Sequence, residues 1–330
     1  MSPQEAAQKI LAGQLVVFPT ETVYGLGALA SDQDAVRRIF EAKGRPAHNP
    51  LILHIADHEQ LDELVHEVSP AAKKLIDCFW PGPLTICFKK KSTVSDLISG
   101  GLDTVCVRRP SHPLAHEFLT AVGKPVAAPS ANISGKPSTT TSEDARKQLE
   151  SKGVYFLDGG KTPLGIESTI VDCSGESVVL LRPGSITMEQ LEQVLGEKVL
   201  DASEPSSVDH VRSPGQLLEH YAPQGELFVL YGSNEKRKGW MDHHVKTPSE
   251  WVLGTLSDQA PALSFKAVYF LTPAETDLHA YAAELYAFLN WCDQNDARHI
   301  LLELPGSSDP LLPSLLNRLK KASRGHIISV

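Results

Sequence analysis

The chain lacks long apolar runs and the usual signs of secretion. No stretch of about 18 apolar residues occurs, so we expect no membrane-spanning helix. The first residues, MSPQEAAQKILAG, form an amphipathic pattern without a basic region or a cleavage site, which predicts no secretory signal. The five cysteines are scattered and have no CxxC spacing. We therefore expect reduced, buried thiols in a cytoplasmic protein.

Several signatures of catalysis and nucleotide binding are also missing. Neither HExxH nor GxSxG occurs, which argues against a zinc protease of that type and against a Ser-His-Asp hydrolase. The C-terminal part has no GxGxxG or Walker A run, so it predicts no nucleotide site of its own. The formal net charge of -9 argues against a protein that wraps nucleic acid, although it leaves room for a local basic cleft.

The pattern that is present predicts an α/β protein of two domains. The chain has 330 residues, of which 42% are hydrophobic and 22% charged, enough apolar surface for two cores. In the first part, strands such as LVVFPT and TVCVRR alternate with helices such as SDQDAVRRIFEAKG, for which we expect Ser31 as N-cap and Gly44 as the stop. Because strands follow one another both directly and through helices, we expect a mixed sheet.

The composition of the sequence changes near Leu200. A segment rich in Ser, Pro and Asp, DASEPSSVDHVRSPGQLLEHYAPQGE, predicts a linker. The order strand–strand–helix–strand–helix follows, as in a small parallel, doubly wound domain. The predicted organisation is a domain at 1–198, a linker at 199–226 and a second domain at 227–330.

Chemistry-bearing residues gather at a few places in the first part. PTETVYGLG presents hydroxyls at a strand end, although a tight turn that uses the freedom of Gly25 and Gly27 explains it equally. In EAKGRPAHNPLILHI, Lys43 and Arg45 suit a polyphosphate, while Lys43 also suits the negative end of a helix dipole. His54, in the same stretch, has a plain alternative as a core residue.

Two further stretches complete the set. Arg108 and Arg109 adjoin on the strand TVCVRR and must point to opposite faces, so one can reach a ligand while the other is solvated. The loop APSANISGKPS brings small residues, hydroxyls, Asn132 and Lys136. Such a loop can hold phosphate oxygens, but read alone an ordinary polar loop is the favoured interpretation.

Taken together these stretches resemble the Sua5/YrdC/YwlC family, in its two-domain Sua5 type of L-threonylcarbamoyladenylate synthase. The resemblance covers the first ~195 residues closely and extends through the linker into the tail. The stretches that carry it are FPTETVYGLG (18–27), KGRPAHNPLILHI (43–55), TVCVRRP (104–110), APSANISGKPS (128–138), GIESTIVD (165–172), LRPGSI (181–186) and SPG…HYAP (213–223).

The resemblance implies a fold and a reaction. The fold is an N-terminal YrdC-like twisted, open, mixed sheet with helices, followed by a small Rossmann-like domain with a parallel sheet. The reaction is that of a nucleotidyltransferase, in which L-threonine, bicarbonate or CO2 and ATP give L-threonylcarbamoyl-AMP and pyrophosphate. A partner complex then transfers the threonylcarbamoyl group to A37 of tRNAs that read ANN codons. A Mg²⁺ ion held mainly by ATP phosphates is implied as well, with no protein metal ligands.

The resemblance also implies roles for individual residues. Residues implied in catalysis are Lys43, Arg45, Ser130 and Asn132. Residues implied in L-threonine binding are Thr22, His54, Arg108, Ala128 and Ser168. Residues implied in ATP binding are Arg45, Asn49, Thr104, Ser130, Ser138, Arg182 and Tyr221.

Tyr221 belongs to the linker, which in the family crosses the mouth of the cavity as a lid. The sequence departs from the family there, because Leu217, Leu218 and Glu219 stand where relatives often carry more polar residues. HYAP itself is intact.

Two other functions compete with the synthase. A basic cleft formed by Lys43, Arg45, Arg108, Lys136 and Arg182 would bind double-stranded RNA or tRNA without catalysis. A carbamoyltransferase that uses carbamoyl phosphate is a more distant alternative.

Overall fold

The structure is a computed structural model that describes residues 1–203, 213–214, 221–256, 262–272 and 277–330. The chain divides into two compact units. The first unit comprises Met1–Ser134 and Ser138–Leu217, and the second comprises Gly135–Pro137 and Leu218–Val330. Each is described by itself. Residues 217–219, where the sequence departs from the family, lie outside the described residues.

The helices of the first unit begin and end as their sequences dictate. In α2 the N-cap is Asp32 rather than the expected Ser31, because the Asp32 carboxylate accepts from the backbone N–H groups of Asp34 and Ala35. Gly44 ends α2 in the left-handed conformation, with φ of 62°, as expected. The helices are α1 (Pro3–Leu11), α2 (Gln33–Lys43), α3 (Glu59–Leu64), α4 (Pro70–Phe79), α5 (Asp96–Ser99), α6 (Pro113–Val122), α7 (Ser142–Leu149) and α8 (Met188–Leu195).

The strands of the first unit form one mixed sheet, so the expected mixed α/β fold is confirmed. Its order is β10-β9-β8-β4-β5-β3-β6-β2-β1-β7. Neighbours in this order run both parallel, as β3 with β5, and antiparallel, as β3 with β6. The strands are β1 (Val16–Phe18), β2 (Gly25–Leu29), β3 (Ile52–His54), β4 (Leu84–Lys89), β5 (Thr104–Arg108), β6 (Val126–Ala128), β7 (Tyr155–Phe156), β8 (Thr169–Asp172), β9 (Val179–Arg182) and β10 (Leu200–Asp201).

The two faces of this sheet are covered differently. One face carries the main core, in which Leu53 and Val107 pack with α2, α4 and α8. On the other face α1 and α6 cover β1, β2 and β6. Farther along that face lies a small apolar floor made of Ile52, Cys87, Cys106, Ile170 and Leu181. The predicted site residues of β3 and β5 stand at the edge of this floor.

The cysteines depart in part from expectation. Cys87 and Cys106 are paired residues on the antiparallel strands β4 and β5 and form a disulfide, so the expectation of thiols throughout was wrong for them. Their positions directly opposite each other bring the two sulfurs together, which the linear spacing did not reveal. Cys173 and Cys292 are free and buried as expected, whereas Cys78 is free and exposed.

The second unit has an all-parallel sheet in the order β13-β12-β14-β11-β15, which confirms the small doubly wound domain. The helix α9 and the strands β12 and β15 had escaped the sequence analysis. The charged stretch NEKRKGWMDHH has only a weak apolar stripe, so its helix gives little signal. The elements are β11 (Glu226–Gly232), α9 (Asn234–His244), β12 (Trp251–Thr255), β13 (Ala267–Phe270), α10 (Leu278–Gln294), β14 (His299–Pro305), α11 (Leu312–Ala322) and β15 (Ile327–Ser329).

None of these helices, in the part of the chain that the structure describes, is long and apolar enough to cross a membrane.

Candidate functional site

Strand register places His54 and Arg108 side by side. The two residues are direct partners across the parallel strands β3 and β5. Arg108 is in turn the partner of Thr85 on β4. Since alternate residues of a strand share a face, all three lie on the face that carries the floor residues Ile52 and Cys106. Two residues that are far apart in sequence thus become neighbours.

Arg108 is held by contacts from three directions. Its Nη1 donates to Oγ1 of Thr22 at 2.9 Å, and its Nε donates to the carbonyl oxygen of Gly82 at 3.2 Å. Its Nη2 lies 2.8 Å from Oε1 of Glu21. The structure therefore brings together Thr22, His54 and Arg108, and adds Glu21, which the sequence analysis had not singled out.

His54 is neutral over a wide pH range. Burial, together with the adjacent positive charge of Arg108, lowers the pKa of its imidazole to about 3. Its ring meets the ring of Phe18 edge-on, with 5.7 Å between centroids. The Nδ1 atom has no hydrogen-bond partner among the described residues. A neutral ring with an unused nitrogen can bind a polar ligand without adding charge.

Ser168 connects the residues predicted for threonine with one predicted for ATP. Its Oγ lies 2.8 Å from Oγ1 of Thr85 and accepts from Nη2 of Arg182 at 3.0 Å. Nε of Arg182 donates to the carbonyl oxygen of Ser168, also at 3.0 Å. Ala128, on β6, is the strand partner of Ile52 on β3, so it lies next to the apolar floor on the same face of the sheet. Ala128 is itself buried in the neighbouring apolar cluster.

Lys43 fixes the loop that follows β6. The Lys43 ammonium donates to the carbonyl oxygen of Ser130 at 2.6 Å and also to the carbonyl oxygen of Asn132. Burial, with the positive charge of Arg45 nearby, lowers the pKa of Lys43 well below its usual value. Within the loop, Ser130 Oγ donates to Oδ1 of Asn132 at 2.5 Å. Lys43, Ser130 and Asn132, all predicted for catalysis, therefore form one hydrogen-bonded cluster.

Arg45 organises the turn between α2 and β3. Its Nη2 donates to Oδ1 of Asn49 at 2.6 Å and to the carbonyl oxygen of Pro50 at 2.7 Å, while Nε donates to the carbonyl oxygen of Asn49 at 3.1 Å. The predicted pair Arg45 and Asn49 is thus in direct contact. Both side chains are buried.

The remaining predicted ATP contacts are more dispersed. Ser138 is buried and donates to Oε1 of Glu167 at 2.6 Å. Thr104 begins β5, whereas Arg108 ends it, so the two lie roughly 13 Å apart along the strand. Tyr221 belongs to the second unit, where it has a φ of 68° and packs against Tyr286 with ring centroids 5.5 Å apart.

The stretch PTETVYGLG is not the glycine-dependent turn that was one of its two readings. Gly25 and Gly27 lie inside β2. A Cβ at Gly27 would come within 2.9 Å of Cγ1 of Val126, so glycine there permits close packing of strands. The turn itself is held by Thr20, whose Oγ1 donates to the carbonyl oxygen of Val23 at 2.7 Å.

Four of the five cations of the proposed RNA-binding cleft are buried, which argues against an open RNA surface, whereas the fifth, Lys136, is partly exposed. The exposed fractions are 1% for Lys43, 7% for Arg45, 3% for Arg108 and 5% for Arg182. Each also donates hydrogen bonds inside the protein. Phosphates of a rigid duplex need cations that reach the surface, so these four residues suit a small ligand that enters the fold.

A separate cleft lies in the first unit, away from the predicted site residues. This cleft, of about 670 Å³, is lined by residues such as Leu53, Glu63, Lys91 and Lys124. Leu53 faces the sheet side opposite to His54, and none of the predicted site residues lines this cleft. Across the described ranges, no group of three or more His, Cys, Asp or Glu side chains is placed to hold a metal ion.

Two family models match the chain. A Sua5/YciO/YrdC family model, described as telomere recombination, matches residues 8–184. A second model, described as the C-terminal domain of threonylcarbamoyl-AMP synthase, matches residues 186–324.

Individual proteins resemble the chain over nearly its full length. A threonylcarbamoyl-AMP synthase from Pyrococcus abyssi is 42% identical over 98% of this chain and 95% of its own length. One from Bacillus subtilis is 40% identical, with 98% and 93% covered. The crystal structure of P. abyssi Sua5 complexed with L-threonine is 41% identical and superposes with a TM-score of 0.92, covering 99% of this chain and 96% of that one. The chain belongs to the Sua5/YrdC family, in the two-domain form of threonylcarbamoyl-AMP synthase.

Proposed function

We propose that this protein is an L-threonylcarbamoyladenylate synthase, a nucleotidyltransferase that joins L-threonine, bicarbonate or CO2, and ATP. The products are L-threonylcarbamoyl-AMP and pyrophosphate. The observation that carries the proposal is the group formed by Thr22, His54 and Arg108 beside Ser168 and Arg182, in a chain whose relatives carry this activity over their full length.

The threonine-binding half of the proposal rests on Arg108. A buried guanidinium is well suited to a carboxylate, because it presents several N–H donors in one plane. Thr22, Ser168 and neutral His54 then offer hydroxyl and imidazole groups to the rest of the amino acid. Ala128 contributes space rather than a polar contact.

The ATP-binding half rests on cations and hydroxyls. Arg45, Asn49, Ser130, Ser138 and Arg182 carry donors suited to phosphate oxygens, and Thr104 and Tyr221 are proposed as outlying contacts. The side chains proposed to contact the phosphates are cations, hydroxyls and an amide, which suits ATP taken as its Mg²⁺ complex. In that complex the metal is held mainly by phosphate oxygens.

Catalysis in this proposal needs no protein nucleophile. The threonine amine adds to CO2 with loss of a proton, or to bicarbonate with loss of water, and the carbamate oxygen that results attacks the α-phosphate while pyrophosphate leaves. Lys43, Arg45, Ser130 and Asn132 then act by holding the reactants in line and by offsetting negative charge. The product passes to a complex that modifies tRNA, so we place the reaction in the cytoplasm.

The direct test is incubation with ATP, L-threonine, bicarbonate and Mg²⁺, followed by detection of threonylcarbamoyl-AMP and pyrophosphate. Omission of threonine or of bicarbonate is the control. Folded protein that makes neither product would refute the proposal.

Three arginine variants separate the two binding halves. Arg45→Ala should weaken the use of ATP, and Arg108→Ala should raise the threonine requirement, each by about 2–5 kcal/mol if a buried charge loses its partner. Arg109→Ala is the matched control, because Arg109 follows Arg108 but turns to His58, at 3.4 Å, on the other side. Equal losses in Arg108→Ala and Arg109→Ala would refute the assignment of Arg108.

A further inference from the structure

Glu21 is a buried acid that the proposed function does not yet use. It lies between Thr20 and Thr22, whose hydroxyl oxygens are 2.8 Å apart. Its backbone carbonyl accepts from the N–H of Leu164 at 3.0 Å, so its position in the turn is fixed. Its side chain is 7% exposed, and that of its partner Arg108 is 4% exposed.

An ion pair buried this deeply needs an explanation other than stability. Removing two charges from water is costly, and apolar residues of similar size often stabilise a fold as well or better. One carboxylate oxygen of Glu21 faces Nη2 of Arg108 at 2.8 Å. Neither Oε1 nor Oε2 has a hydrogen-bond partner in the described part of the chain, so the contact with Arg108 is an ion pair without a hydrogen bond. The pair thus keeps an unused acceptor beside a cation.

Arg108 also has N–H donors available for a ligand. A guanidinium has five N–H donors. Nε donates to Gly82 and Nη1 donates to Thr22, whereas Nη2 lies 2.8 Å from Glu21 and makes no hydrogen bond with the described residues, so donors remain on Nη1 and Nη2. Arg108 can therefore donate to a second carboxylate while it keeps its present contacts.

We propose that Glu21 binds the α-ammonium group of the amino-acid substrate while Arg108 binds its carboxylate. This inference rests on the proposed function for the identity of the substrate. In an α-amino acid the two charged groups are attached to one carbon, so a buried cation and anion in contact are complementary to both at once. A carboxylic acid that lacks the ammonium group leaves Glu21 facing a second anion and is rejected. Glu21 is a specificity residue here and has no role in proton transfer.

The test compares two ligands by calorimetry without ATP. L-threonine carries both charges, whereas 3-hydroxybutyrate has the same carboxylate and hydroxyl but no amine. In Glu21→Gln we expect threonine to bind about 10- to 100-fold more weakly, since a hydrogen bond between charged groups is lost. We expect 3-hydroxybutyrate to bind more tightly than it does to the native protein, because a like charge is removed.

A purely structural role for Glu21 gives a different pattern. Loss of local order would weaken both ligands by a similar factor, and that outcome, or unchanged threonine affinity, would overturn the proposal. Glu21→Asp is the second variant, in case Glu21→Gln fails to fold. It keeps the charge but moves it, so threonine binding should weaken while 3-hydroxybutyrate stays excluded. Glu143→Gln, at an exposed carboxylate paired with Lys147, is the matched control.

The outcome is separable from that of the proposed function. If the native protein binds threonine with the expected dependence on Glu21 but makes no threonylcarbamoyl-AMP, the inference stands and the reaction is wrong. If the native protein makes the product but Glu21→Gln binds both ligands as the native protein does, only the inference fails.

Discussion

Acidification should destabilise the first unit through His54. The imidazole is buried on β3 between Phe18 and Arg108, and its pKa is lowered from 6.5 to about 3. The unfolded chain has the ordinary value, so between these pH values it binds a proton that the folded state refuses. The stability that neutral His54 contributes is complete above pH 6.5 and is lost as the pH falls toward 3.

The magnitude follows from the size of the shift. A lowering from 6.5 to about 3 corresponds to about 5 kcal/mol over the whole range, at roughly 1.4 kcal/mol per pH unit. By pH 5 the loss is already about 2 kcal/mol. The side chain is fully buried, so solvent screening reduces this figure little.

The assay is the free energy of unfolding at pH 8, 6 and 5 for the native protein and for His54→Asn. Hydrogen exchange of the β3 and β5 amides under urea reports the free energy of unfolding of the first unit alone. Other groups titrate in both proteins, so their contributions cancel when the free energies of unfolding of the native protein and the variant are subtracted. Between pH 8 and pH 5 the native protein should lose about 2 kcal/mol more than the variant. Parallel curves for the two proteins would refute the reasoning.

Three shorter predictions concern two buried residues of the first unit and the metal ion. Lys43→Met should leave the carbonyl oxygens of Ser130 and Asn132 without their donor and cost about 1–3 kcal/mol of stability. Urea unfolding measures this loss, and an unchanged midpoint would contradict it. Tyr24→Phe should cost about 1–3 kcal/mol, because the buried hydroxyl donates to Gly160 at 2.7 Å. Its check is the melting temperature, and a shift of zero would show that the bond is dispensable. Chelation of Mg²⁺ should abolish formation of threonylcarbamoyl-AMP while threonine binding persists, and loss of threonine binding on chelation would place the metal at the amino-acid half.

Much of the architecture was predictable because it follows local rules. Gly44 ends α2 as its position after Lys43 suggested, and the predicted strands LVVFPT and TVCVRR correspond to β1 and β5. β2 escaped because GLGAL has two glycines, which weaken any strand pattern, although close packing against Phe18 and Val126 requires them. A glycine chosen for close approach cannot be told from one chosen for a turn without knowing its neighbours.

The resemblance to a family pointed to the stretches around Lys43, Arg108 and Ser130 as the candidate site, and the roles of these residues stay predictions. Their partners were not visible, since the pairing of Arg108 with Glu21 and of Ser138 with Glu167 depends on how distant segments meet. Glu21 has one local signal, an acid between two threonines in a strand-ending turn. The disulfide between Cys87 and Cys106 likewise depends on strand register.

That register has a consequence for which changes in chain length this fold tolerates. His54 and Arg108 stay on the same face only while β3 and β5 keep their alignment. A single-residue insertion within either strand would turn the following side chains to the opposite face and remove one of the pair from the site. Insertions in the segment between β4 and β5, residues 90–103, leave the alignment intact. Natural length variation in such a protein should therefore collect between strands, and a library of insertions should lose activity in a pattern that marks β3 and β5.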